Sequence, residues 1–189
     1  MSEQTPSPAK SDRPPVATGG CQCGAVRYAC YTITPAGDGV CHCRMCQKAV
    51  GGPFAVFVGV PAADFAWTRG TPKTFRSSTH AERDFCPDCG TPLTFRWHDG
   101  ATVSVTVGSL DNPEVGRPDR QIGTESRLAW VEQIWGLPKK TTAEDSGADF
   151  IAACISYQHP DHDTPDDWSP PLVDRPRHLS PSSARRSDR

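Results

Sequence analysis

Long apolar runs are absent: no stretch approaches the roughly 20 residues that cross a bilayer, and the opening MSEQTPSPAK has no apolar segment of signal-peptide type. The expectation is a soluble, cytoplasmic protein without a membrane partner. Charge of one sign is also lacking. Lys+Arg 20 against Asp+Glu 22 gives a formal net charge of -2, so no basic field is available to hold a polyanion, and no nucleic-acid partner is expected. Apolar residues are sparse for a globular chain, at 36% of 189 residues, which predicts one modest core and segments that do not pack. No repeat of fixed period is present.

Prolines, 19 in all, crowd the ends and set the expected organisation. Residues 1–17 are Ser/Pro/Lys-rich without a period of 2 or 3.6, and residues 159–189 are Pro-rich, acidic first and Arg-rich later; both are expected to be disordered tails. The domain is expected over residues 18–158. Within it, GAVRYACYTI, GPFAVFVGV, PLTFRW, TVSVTVGSL and QIGTESRLAWV are short β-branched and aromatic runs separated by Gly, Pro and Asp. That pattern predicts a mostly β fold of antiparallel strands. In Thr102 to Val107, valine alternates strictly with hydroxyl residues, so one face should be buried and the other wet. A short helix is expected at Cys46 to Val50, before Gly51-Gly52-Pro53, and another turn near Ala143 to Ile151.

What is abundant is cysteine: nine residues, an odd number. In a reducing compartment this count argues for metal binding over a disulfide framework. Seven of them cluster, as Cys21-x-Cys23, Cys41-x-Cys43-x-x-Cys46 and Cys86-Pro-Asp-Cys89-Gly. Cys30 and Cys154 stand apart and are read as small apolar residues. The C-x-x-C turn can point both sulfurs at one centre, with Gly90 free to take a positive φ. Cys21 and Cys23, two apart, would share a face of an extended segment. Cys21, Cys23, Cys86 and Cys89 are therefore expected to form a closed four-sulfur structural zinc site, a staple for a lean core.

Cys41, Cys43 and Cys46 then have no fourth cysteine nearby. Three protein ligands with a vacant position define the catalytic type of zinc, so the chain is expected to hold two zinc ions, one at each site. A three-thiolate centre is a poor generator of hydroxide but suits a sulfur ligand. A thiol at the open position would lose its proton, ready to attack an aldehyde carbon or, in reverse, to leave. His42, between two cysteines, is expected to line or support the site rather than to ligate.

The stretches GGCQCGAVRY, CHCRMCQKAVGGPF, FCPDCGTPL and GSLDNP, in that order, resemble the glutathione-dependent formaldehyde-activating enzyme family, which includes centromere protein V. The resemblance runs from about Gly19 to Lys140. It implies a β-tent fold with two zinc sites: a structural one on Cys21, Cys23, Cys86 and Cys89, and a catalytic one on Cys41, Cys43 and Cys46. It also implies a carbon-sulfur lyase of S-(hydroxymethyl)glutathione synthase type, whose partner is a small-molecule thiol adduct derived from glutathione. The segment from Gln121 to Trp130 resembles the family's late strand, with Gln121 where a histidine is often found. Phe54, Phe57 and Trp130 are candidates to line a pocket beside the open zinc, and Arg44 and Lys48 to hold a substrate carboxylate. The alternative is a zinc-stabilised binding or scaffold module without catalysis.

Overall fold

The computed structural model describes residues 13–168 apart from 99, 163 and 166. The expected tails lie largely outside the described residues. The fold is mostly β, as the strand pattern predicts. β1 (Ala17–Gly20), β2 (Arg27–Cys30) and β5 (Phe65–Arg69) form a three-stranded sheet in the order β1-β2-β5. A seven-stranded sheet is built from β3 (Thr34–Cys41), β4 (Ala55–Pro61), β6 (Lys73–Arg76), β7 (Ala81–Phe85), β8 (Pro92–Trp97), β9 (Thr102–Thr106) and β10 (Gln121–Ile122), in the order β10-β3-β4-β9-β8-β7-β6. Among the described residues, the short helix α1 (Arg44–Val50) falls on the helix expected at Cys46 to Val50, and α2 (Thr142–Ser146) and α3 (Ala148–Ala153) fall where a turn was expected. Among the described residues no helix is long and apolar enough to cross a membrane.

The alternation in β9 places Val103 and Val105 in the core. They meet Val58 and Val60 of β4, Leu93 of β8, and Tyr28, Cys30 and Phe65 from the smaller sheet. One contiguous apolar layer therefore joins the two sheets. β4 is buried along almost its whole length because both of its faces are covered. Val58 and Val60 face this layer, whereas Ala55 and Phe57 pack with Cys41 and Cys46 in a second cluster. The central strand thus carries the core on one side and the three-cysteine group on the other.

Two expectations need correction. The run from Gln121 to Val131 forms only the two-residue strand β10, because Gly123 at φ 64 turns the chain into 3-10 segments at Thr124–Ser126 and Ala129–Gly136. β10 is also parallel to β3, the exception in an otherwise antiparallel pairing, since a long connection after β9 returns it in the same direction. His159, His162, Pro165 and Trp168, which the sequence places in the second tail, reach the smaller sheet and the turn after β1. His159 is buried and donates its amide to the Gln22 carbonyl at 2.7 Å, and Arg69 reaches the Trp168 carbonyl at 2.7 Å.

A buried ion pair between Arg27 and Asp111 ties β2 to the turn after β9. Asp111 also accepts from Thr18 Oγ1 at 2.6 Å, and Arg27 donates to the His162 carbonyl at 2.8 Å. Removing one partner leaves the other charge buried and uncompensated. Asp111→Ala should therefore cost about 3 to 5 kcal/mol, measured by denaturant unfolding with metal held saturating; a cost below about 1 kcal/mol would show that water replaces the carboxylate.

Candidate metal centres

The four-cysteine group assembles where two turns meet. Cys21 and Cys23 lie on a turn after β1 that the Gly24 amide closes onto the Cys21 carbonyl at 3.0 Å. They converge through this turn, not through the extended segment expected from their spacing. Cys86 and Cys89 lie on the turn between β7 and β8, closed by the Gly90 amide on the Cys86 carbonyl at 3.0 Å, with Gly90 at the anticipated positive φ of 77. The sulfurs of Cys21 and Cys23 are 3.5 Å apart, those of Cys23 and Cys86 3.7 Å, and all four lie within 4.8 Å of one another.

The surroundings suit anionic sulfur. The Val26 amide donates to Cys21 Sγ at 3.2 Å. Burial pushes the Cys86 thiol up to about 11 and Cys23 higher still. Burial also acts upward on Cys89, but hydrogen bonds from the Thr91 hydroxyl and from backbone amides outweigh it and bring the thiol down to about 6. Four soft donors at this spacing fit a tetrahedral divalent ion, which would displace the remaining protons.

The three-cysteine group is set by the end of β3 and the start of α1. Cys41 closes β3 opposite Ala55. Cys43 is the N-cap of α1, and its sulfur accepts from the Cys46 amide at 3.4 Å. The sulfurs of Cys41, Cys43 and Cys46 all lie within 4.8 Å of one another, and among the described residues the group numbers three. Burial raises the Cys41 thiol to about 12. Burial acts the same way on Cys43, but amide hydrogen bonds from Cys46 and Met45 prevail and lower it. Cys46 is raised by burial, against the pull of Arg83. The donors again fit a soft divalent ion, held on a loop stiffened by backbone N–H···S bonds.

The other expected residues divide. His42 is not part of the sulfur group: it is buried, edge-on to Phe54 at 5.6 Å, with Nε2 hydrogen-bonded to Gln121 Oε1 at 2.9 Å. Gln121, in the place where a histidine was noted, thus anchors this ring. Phe57 is buried beside Cys41 and Cys46. Arg44 is exposed and donates to Gln47 Oε1 at 2.9 Å, and Trp130 is half exposed on its 3-10 segment. Lys48 lines a cavity of about 370 Å³ beside α1. Cys30 is buried in the core and Cys154 is exposed.

Residues 16–126, more than half of the chain, match the family described as glutathione-dependent formaldehyde-activating enzyme. The chain belongs to this family. Over 82 residues it is 32% identical to an uncharacterized lyase of Schizosaccharomyces pombe, a match covering 43% of this chain and 58% of that protein. It thus spans under two thirds of that curated relative. A crystal structure of a Rhodobacter sphaeroides protein aligns with a TM-score of 0.45 at 24% identity, over 53% of this chain and 96% of that one.

The family match contains two site residues that spacing arguments passed over. Arg83, buried on β7, donates from Nη2 to Cys46 Sγ at 3.3 Å. Its signal was a basic residue two positions from buried Ala81 on a strand leading into the C-x-x-C turn. Gln47, also buried, donates to the carbonyls of His42 at 2.7 Å and Ser126 at 3.0 Å. It ties α1 to the loop of Cys41 to Cys43 and to the segment after β10. Gly123 closes this wall, since a Cβ there would stand 2.7 Å from the Cys43 amide nitrogen.

Proposed function

We propose that the protein is a zinc-dependent carbon-sulfur lyase acting on a thiol adduct, of S-(hydroxymethyl)glutathione synthase type. The observation that carries this reading is the contrast between a four-sulfur group and a three-sulfur group in one domain. The first has the closed donor set of a structural zinc and the second the open set of a catalytic one. When bound, zinc at the open set supplies a position where a substrate thiol is held as thiolate. In the reaction, a bond forms between that sulfur and the carbon of formaldehyde or a similar aldehyde, and the thiol's proton ends on the new hydroxyl oxygen. Cleavage reverses both transfers.

The chain's own residues fix the geometry. Cys41, Cys43 and Cys46, at a strand end, a helix cap and the first turn of α1, would hold the metal. Phe57 and Phe95, with ring centroids 6.1 Å apart, exclude water behind them. Cavities of about 390 and 370 Å³ flank α1, and Ala49, Phe75 and Arg83 line both. Thiols that must stay reduced suit the cytoplasm.

The test is to supply formaldehyde with glutathione and, separately, with smaller thiols, and to follow hydroxymethyl adduct formation by NMR exchange spectroscopy. Enzyme-dependent exchange with at least one thiol is expected. No acceleration with any thiol, in protein carrying both metals, would overturn the reading. A second reading, a binding module, draws on exposed Trp135, Phe150 and Ile155 outside the family-matched region. It predicts that function survives loss of the second metal.

A further inference from the structure

We propose that Arg83 is a positioning residue of the three-cysteine site, where its fixed positive charge acts on the metal through Cys46; this rests on the lyase reading above. Arg83 sits mid-strand on β7 and is 9% exposed. A buried guanidinium needs a counter-charge. Among the described residues no carboxylate lies in ion-pair range of it: the adjacent Asp84 accepts instead from Thr74, Thr94 and Arg96. The group that Arg83 does meet is Cys46 Sγ, at 3.3 Å. That placement makes sense for a sulfur that is anionic in the working protein.

The strand register holds the guanidinium there. Arg83 is the cross-strand partner of Phe75 on β6 and of Phe95 on β8, and its Cζ lies 4.9 Å from the Phe95 ring centroid. A planar fork stacked on a ring keeps one orientation, which a lysine ammonium would not. Three thiolates around a divalent ion leave one net negative charge, and a substrate thiolate adds a second. A hydrogen bond to Cys46 withdraws electron density from that sulfur and offsets part of this charge, favouring arrival of the fourth, anionic ligand. Arg83 also lines both cavities beside α1.

The full chain and its R83Q, R83K and F95L variants would be loaded with Co(II). Two quantities are read: the chelator concentration that strips each metal, and the sulfur-to-cobalt charge-transfer band of the three-cysteine site. The four-cysteine metal is the internal reference for folding. R83Q is expected to hold the second metal about 10 to 100 times less tightly, with the band moved to lower energy and the first metal unchanged. R83K should recover part of the affinity, and F95L, which keeps the arginine but removes its ring, should shift both readouts in the R83Q direction by a smaller amount. Should R83Q fail to fold, F95L and R83K decide the matter. Affinity within twofold of the parent and an unmoved band in the folded variants would overturn this inference alone. A parent that binds only one metal would overturn the lyase reading and this inference with it.

Discussion

Cys86→Ser is expected to yield a chain that does not fold. Cys86 is fully buried and packs in the layer between the two sheets. Its turn belongs to the seven-stranded sheet, and the turn of Cys21 and Cys23 follows a strand of the three-stranded one, so a metal held by the four sulfurs would bolt the sheets together. Structural zinc contributes roughly 10 to 16 kcal/mol in small zinc domains. Net stabilities run only about 5 to 15 kcal/mol. If the four sulfurs hold such an ion, losing one ligand would remove a quantity comparable to the whole stability of a domain with a lean core. Circular dichroism, thermal melting and bound metal on the refolded variant check this. A cooperative melt within about 2 kcal/mol of the parent would show that burial alone holds the sheets together.

Cys43→Ser should do the opposite, leaving the fold intact and abolishing turnover. Cys43 caps α1 and accepts the Cys46 amide. Serine is among the preferred N-cap residues, so the helix keeps its cap and the melting free energy should move by no more than about 1 kcal/mol. The metal site loses a soft ligand at its centre. If the metal supplies several kcal/mol of transition-state stabilisation, the thiol-adduct rate should fall at least about a thousandfold. Adduct exchange measured beside a thermal melt separates the two effects. A variant as active as the parent would remove the three-sulfur group from the mechanism.

The legible parts of the molecule are those whose signals are local. Spacing within each cysteine group is set by a few bonds, so both groups were legible in the sequence even though Cys21 and Cys23 reach their positions by a turn. β4, β8 and β9 were visible because burial imposes alternation or a continuous apolar run. β6 and β7, Lys73–Arg76 and Ala81–Phe85, were not, since at the sheet's end they mix charge with aromatics. The docking of His159 and Trp168 depends on long-range contacts, such as the His159 amide on the Gln22 carbonyl and Arg69 on the Trp168 carbonyl, which no local pattern announces. Arg83 was hidden for the same reason: its meaning comes from Cys46, 37 positions away in sequence.

Whether one domain carries one closed and one open sulfur site is decided by its metal content per chain. The parent and Cys43→Ser proteins would be purified under reducing conditions and assayed for zinc with and without added thiol. About two zincs per chain are expected in the parent and about one in the variant, with thiol perturbing only the parent's second ion. About one zinc in both proteins, indifferent to thiol, would rule out the open site.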